Sequence, residues 1–197
     1  LMKEGGCQSL FIGFESINPE SVSDVHKVQN ITNNYEKAIK AIHDRGIMIN
    51  ASFVFGLDGD TKETFQTTLD WIVKNKIETV TSHILTPYPG TALYDRMATD
   101  GRILTEDLAL YNTAHVVFQP MNMTKEELYQ GYLWIYKQVY SWKNIWKRLP
   151  KSKNQRAPYL LFNILYRKYG KLTDRICKCI TYKRIGRIAE KMAKYLN

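Results

Sequence analysis

The sequence predicts an α/β protein: a parallel βα sheet or barrel followed by a mainly helical, basic extension. Three observations carry this reading. Within the first hundred residues, three short apolar runs each end in polar or Gly residues and give way to helical periodicity, the grammar of repeated βα units. The length of 197 residues allows one compact domain plus an appendage, but not a complete eight-fold barrel of ~250 residues. Charge is also segregated. Residues 143 to 197 hold 16 Lys and Arg against Asp174 and Glu190, a charge of +14, while the preceding 142 residues carry −5. The formal +9 of the whole chain therefore belongs to the extension. A hydrophobic content of 44% with 24% charged residues excludes a disordered chain.

The first apolar run is Ser9 to Ser16. A connector through Asn18-Pro19 leads to a helix capped by Asn33 or Asn34, with Tyr35, Ala38, Ile39 and Ile42 as its apolar stripe and Gly46 at its end. The second run is Ile47 to Gly56; the helix after it is expected to start with Asp60 as N-cap and Glu63 completing a capping box, burying Phe65, Leu69, Ile72 and Val73. The third run, Glu78 to Thr86, stops at Pro87-Tyr88-Pro89-Gly90, where two prolines forbid further ladder bonds and Thr91 caps a short helix through Met97. These units make up residues 1–100. In 101–142 a brief apolar stretch, His115 to Phe118, precedes a second capping box, Thr124 with Glu127. That box opens a helix with Leu128, Tyr132, Ile135, Tyr136 and Val139 on one face, expected to pack across the barrel wall. The basic, aromatic extension, 143–197, predicts helices near Pro158 to Tyr169 and Tyr182 to Leu196.

In such folds ligands gather at the carboxyl ends of the strands. That rule selects Glu15 and Ser16 at the first strand, Ser52, Val54, Gly56 and the Asp58-Gly59-Asp60 turn at the second, and His83, Leu85, Thr86 and Pro87 at the third. Strand alternation places Asn50, Ser52, Val54 and Gly56 on one face, the lumen side, and Ile49, Ala51, Phe53 and Phe55 on the other. It likewise joins Gly13 to Glu15 and sends Leu10, Ile12 and Phe14 toward outer helices. Each candidate has a structural alternative: Glu15 as a salt-bridge partner, Asp60 as a helix cap, Gly56 as a tight turn, His83 as a hydrogen-bonded core residue. His26, His43 and His115 show no metal-ligand spacing, and Cys177-x-Cys179 sets its thiols on different helix faces. Three cysteines are a poor disulfide framework and point to a reducing cytosol. No apolar window is long enough for a membrane span, and no signal-peptide pattern occurs.

Three segments, GFESINPESVSDVHKVQN, AIKAIHDRGIMINASFVFGLDGDTKETFQTTLDWI and HILTPYPGTALYDRM, resemble the later part of the radical S-adenosylmethionine (SAM) core. The nearest likeness is to the group whose full-length members often carry an upstream cobalamin-binding domain. The likeness runs from about Gly5 to Trp142, in order, and FVFGLDGDT with TPYPGTALY makes it specific. The basic extension lies outside it. The resemblance implies the C-terminal half of a partial (β/α)6 TIM-like barrel that binds SAM and a [4Fe-4S] cluster and cleaves SAM to a 5′-deoxyadenosyl radical, for methylation, cyclisation or another modification of an unknown substrate. It sets Glu15 and Ser16 near the methionine or ribose part of SAM, Ser52, Val54 and Gly56 beside the adenine, and Leu85, Thr86 and Pro87 along the same wall. Asn50 and His83 become lumen candidates facing substrate, and Lys27 and Asn30 loop anchors.

The family's CxxxCxxC cluster motif is absent from this sequence, although thiolates are what a cluster's iron requires. Three βα units stand where the family has six. The expectation is therefore a C-terminal portion of a longer enzyme, inactive alone, with cluster ligands and any cobalamin site upstream and the missing half of the polypeptide as partner. The competing reading is a non-catalytic relic half-barrel whose basic tail binds anionic lipid or nucleic acid. For the tail, solvated helices with aromatic undersides packed on the barrel stand beside association with an anionic membrane surface, which the apolar run Ala157 to Leu165 followed by Arg167, Lys168 and Lys171 favours over nucleic acid. The expected location is cytoplasmic, or peripheral at the membrane.

Overall fold

The computed structural model describes residues 1–18, 21 and 35–179, and side chains of the last helix through Arg167. Three parallel strands, β1 (Ser9–Glu15), β2 (Met48–Phe55) and β3 (Thr79–Ile84), pair in the order β1-β2-β3. Helix α1 (Tyr35–Asp44) connects the first two strands and α2 (Lys62–Lys74) the second and third. Helices α3 (Ala92–Thr99), α4 (Lys125–Val139), α5 (Trp142–Lys147) and α6 (Lys153–Cys179) follow. The strands sit within the expected runs, one or two residues shorter at their ends. The Asn33 or Asn34 cap, Lys27, Asn30 and the Tyr182 to Leu196 helix lie outside the described residues.

The alternation in β2 and β3 divides the sheet as the apolar pattern requires. Ile49, Ala51, Phe53 and Phe55 are all buried at 2% exposure or less, as are Val80 and Ile84 on β3. On this side Phe14, Tyr35, Phe53 and Trp71 form an aromatic cluster with ring centroids 5.0 to 6.2 Å apart, and Phe55 stacks on Phe65 at 4.8 Å. Burial of aromatic area on this scale supplies much of the core's stability. Helix α4 lies against α2 and β3. Its Gly131 meets the Phe65 ring so closely that a Cβ there would overlap it, so close helix approach requires glycine.

Both expected capping residues of α4 are in place: Thr124 Oγ1 accepts the Glu127 amide at 3.2 Å and the Glu127 carboxylate accepts the Thr124 amide at 2.9 Å. Thr91 caps α3 by accepting from the Tyr94 amide. The expectation for α2 needs correction. Its N-cap is Thr61, with Thr64 reciprocating, rather than Asp60 with Glu63. Asp60 turns the other way, into the loop that leaves β2, because two donors of that loop need an acceptor.

The outward edge of β3 has no fourth strand beside it among the described residues; side chains from the downstream segment complete it instead. Tyr140 accepts the Val80 amide at 3.1 Å and donates to the Val80 carbonyl at 2.6 Å. Tyr136 does the same for Ser82, at 3.1 and 3.2 Å. The Ile84 amide donates to the Thr113 carbonyl at 2.8 Å. Edge groups that would otherwise be buried without partners are thus satisfied. Burial raises the phenol pKa of both tyrosines, against the opposing effect of their backbone hydrogen bonds.

At the amino ends of the strands the extension closes the sheet. Arg148, fully buried, donates to the carbonyls of Ile77 (2.6 Å), Glu78 (3.1 Å), Val139 (2.6 Å) and Asn144 (3.2 Å) and to Asn163 Oδ1 (3.1 Å). Asn163 in turn donates to the Glu78 and Tyr159 carbonyls. The Glu78 carboxylate accepts the Ile49 amide at 2.8 Å and pairs with His43 at 3.2 Å. A small apolar cluster of Met48, Ile145 and Tyr159 fills the space beneath. The aromatic underside expected of the tail is present on α6, where Tyr159 is buried against Ile145 of α5, while the α5 tryptophans Trp142 and Trp146 are exposed.

Candidate functional site

The rim at the carboxyl ends of the strands is where the sequence-selected residues converge. Register sets Gly13 beside Ser52 and Ser52 beside Thr81, with Val54 beside His83 one step higher and Phe11, Asn50 and Thr79 one step lower. These residues share the face opposite the aromatic core. Ser52 is largely buried, while Asn50, Val54 and His83 are half-buried.

At the end of β1 the ladder breaks. The register skips between Gly13 and Glu15, and Glu15 has φ of 62°, a left-handed conformation uncommon for a residue other than glycine. The consequence is positional: a Cβ added at Gly13 would stand 2.5 Å from Glu15 Oε1, so the carboxylate folds back over the glycine, next to Ser52 in the neighbouring strand. Backbone strain of about 1–3 kcal/mol at such a residue is thereby exchanged for a carboxylate at the rim. Its charge, after burial, also contributes to raising the Tyr35 phenol pKa to about 12.

The loop leaving β2 is organised around Asp60. Its carboxylate accepts the amides of Gly56 at 2.9 Å and Leu57 at 3.1 Å and the Ser21 hydroxyl at 2.8 Å. Burial pushes the Asp60 carboxyl pKa up, while these three hydrogen bonds hold it down. Asn18 Nδ2 donates to the Gly59 carbonyl at 2.8 Å, so the loops after β1 and β2 are tied together. Asp58 pairs with Arg102 at 2.8 Å and Arg96 at 3.1 Å, and Asn122 donates to its carbonyl at 2.7 Å. The rim loop is thereby fastened to the segment behind α3.

Gly56 departs from the expected lumen-facing position. Its φ of 98° breaks the strand alternation, and a Cβ there would meet Leu128 Cδ2 at 2.8 Å and Phe118 Cζ at 3.0 Å. Glycine is needed here for the turn and for the approach of α4. Ser16, buried, accepts the Asn18 amide at 3.0 Å. The Leu85 amide donates to the Phe55 carbonyl at 2.9 Å, and Leu85 packs on the main core. Thr86 donates to the Ile84 carbonyl at 3.1 Å and is buried, as is Pro87. The structure therefore gathers Glu15, Ser52, Val54, Asn50 and His83 on one face, and gives Ser16, Gly56, Leu85, Thr86 and Pro87 identifiable work in the turns framing it.

Two groups on this face stand out chemically. Asn50 Oδ1 is buried and has no hydrogen-bond partner, so an acceptor is held unused in mid-sheet. His83 Nδ1 lies 3.2 Å from Thr113 Oγ1, and Thr113 itself has φ of 64°. Phe11, Thr79 and Thr81 share this face without having been singled out from sequence; the alternation that found Asn50 would have found them too. Among the described residues no three His, Cys, Asp or Glu side chains converge in a way that would hold a metal ion.

Residues 91–159 match a family described as a domain of unknown function (DUF4070); this is the stretch that closes the outward edge of β3. The chain is 35% identical over 149 residues to the bacteriochlorophyllide d C-12(1)-methyltransferase of Chlorobaculum tepidum, which covers 76% of this chain and 32% of that enzyme. It is 30% identical over 107 residues to the hopanoid C-2 methylase of Rhodopseudomonas palustris, covering 54% and 20%. It is 24% identical over 159 residues to the anaerobic magnesium-protoporphyrin IX monomethyl ester cyclase of Cereibacter sphaeroides, covering 81% and 26%. The chain spans about a third or less of the length of these relatives.

Proposed function

We propose, from the premise that this chain belongs to the radical SAM family in its cobalamin-binding group, that it supplies the later strands of a partial (β/α)6 barrel, the SAM-binding wall of an enzyme that methylates or cyclises an unreactive carbon skeleton. The observation that carries this reading is the Glu15 carboxylate folded over Gly13, the register partner of Ser52. A carboxylate suits the ammonium or the ribose hydroxyls of SAM, and a hydroxyl beside a small apolar side chain suits the edge and face of a purine. SAM, when bound against a reduced iron–sulfur cluster, supplies a carbon-centred radical.

The residues of this chain bind and orient. Glu15, held in place by the break in the ladder, fixes the polar end of the cofactor. Ser52 and Val54 border its adenine, and the turns containing Ser16, Gly56, Leu85, Thr86 and Pro87 fix the wall behind them. Asn50 and His83, deeper on the same face, offer a hydrogen-bond acceptor and an imidazole to a substrate in the lumen. The described residues do not themselves fit a [4Fe-4S] cluster, whose ligands we assign to the part of the polypeptide that completes the barrel, together with any cobalamin site. The relatives methylate or cyclise bacteriochlorophyllide, hopanoid and magnesium-protoporphyrin compounds, so a large, mostly apolar polycyclic substrate is the class to test first.

The test is anaerobic SAM cleavage by the reconstituted polypeptide that carries this chain, with 5′-deoxyadenosine as the readout. Glu15→Gln should weaken SAM binding about tenfold, the scale of one charge-assisted hydrogen bond. Absence of 5′-deoxyadenosine despite a full cluster would remove the assignment.

A further inference from the structure

Helices α5 and α6 are amphipathic in an unusual sense: one side is locked into the sheet and the other is both apolar and cationic. On α6, Tyr159 and Asn163 are fully buried, while Leu161 and Leu165, four residues apart, are exposed at 58% and 38%, with Phe162 beside them at 50%. On α5, Ile145 and Arg148 are buried, while Trp142 and Trp146, also four apart, are exposed at 46% and 58%. Exposed large apolar groups in such number mark an interaction surface.

The charge around them has one sign. No Asp or Glu occurs between Glu127 and Asp174, a stretch that holds ten Lys and Arg. Lys143, Lys147, Lys151, Lys153, Arg156 and Arg167 are exposed, and the Arg167 guanidinium lies over the Trp142 ring at 5.2 Å. We propose that the outer face of α5 and α6 docks on an anionic lipid bilayer. Leucine and phenylalanine side chains enter the acyl boundary, tryptophans favour the headgroup level, and lysines and arginines attract acidic lipid. Leu161 and Leu165 favour lipid over nucleic acid, since bases stack on aromatic rings and gain little from leucine. A second copy of the same cationic face would be repelled by like charge. Among the described residues no helix is long and apolar enough to cross a membrane, so the attachment is one of lying on the surface. The docking helices sit at the amino ends of the strands, opposite the rim, so a bilayer bound there leaves the rim open.

The experiment is flotation of the full chain with phosphatidylcholine vesicles with and without phosphatidylglycerol, at low and high salt. Expected are flotation with the anionic vesicles only, loss of it at high salt, at least a tenfold weaker partition for Leu161→Glu combined with Leu165→Glu, and about fivefold for each of Lys151→Gln and Lys153→Gln. Both lysines are exposed, and circular dichroism of each variant checks the fold. Equal partition into neutral and anionic vesicles, or an unchanged partition of the folded leucine variant, overturns the proposal. So does binding of single-stranded RNA without vesicle binding, or self-association that the leucine pair abolishes while vesicles are ignored.

Discussion

The two ends of the sheet handle polar groups differently. At the amino ends, Glu78, Arg148 and Asn163 are buried and bonded to one another's surroundings, with Arg148 alone reaching four carbonyls and one side-chain oxygen. Burial lowers the Arg148 pKa from its ordinary value, yet the dense acceptors keep a guanidinium there tenable. At the carboxyl ends, Glu15 is held at positive φ; on the face opposite the aromatic core Asn50, level with Thr79 at the start of β3, keeps a buried acceptor without a partner. The amino end spends its polar residues on a buried network, whereas at the carboxyl end Asp58 and Asp60 tie loops together and Glu15 takes a left-handed backbone that holds its carboxylate over Gly13.

The comparison can be broken most forcefully at the amino end. Arg148→Met removes five hydrogen bonds and leaves buried carbonyls unsatisfied, so the unfolding free energy by urea titration should fall by about 3–5 kcal/mol, enough to unfold a marginal domain. Tyr140→Phe strips both partners from Val80 and should cost about 2 kcal/mol, with a lower urea midpoint and little change in SAM affinity of the folded fraction. On the sheet face opposite the aromatic core the sign should reverse: Asn50→Leu removes an acceptor that has no partner and should leave stability unchanged or raise it by about 1 kcal/mol, while, on the proposed function, slowing turnover. A destabilised Asn50→Leu protein would mean that Asn50 serves cohesion as Arg148 does.

The smallest effect concerns pH. The Asp60 carboxyl has a folded pKa above its unfolded value, so its contribution to stability is fully present below the unfolded pKa and is lost as pH rises through the folded pKa. Across that acidic window the unfolding free energy of the natural protein should decline with pH relative to Asp60→Asn, which lacks the titrating group. Parallel pH profiles of the two proteins would show that Asp60 does not titrate on unfolding in this way.

Much of this was legible in the residues. Apolar runs with period two gave three strands in order, and the buried set Ile49, Ala51, Phe53 and Phe55 followed from alternation alone. Thr124 with Glu127 announced α4 because a capping box is local chemistry. Asp60 was misread for the converse reason: both Asp60 and Thr61 are good caps on propensity, and the choice between them was made by the amides of Gly56 and Leu57 and by Ser21, thirty-nine residues away. Gly56 was misplaced because a single positive φ ends the alternation on which its assignment to the lumen relied.

The sequence by itself determined the α/β class, the order of the units, the apolar faces, the segregation of charge and the family, since each is written in short-range pattern or in motif. Only the tertiary structure decided how the sheet is finished: that Tyr136 and Tyr140 stand in for a strand beside β3, that Arg148 and Asn163 close its amino end, and that Glu15 folds back over Gly13. Such pairings join residues up to 85 positions apart. They are selected by which buried backbone groups lack a partner, and that is known only once the chain has folded around them.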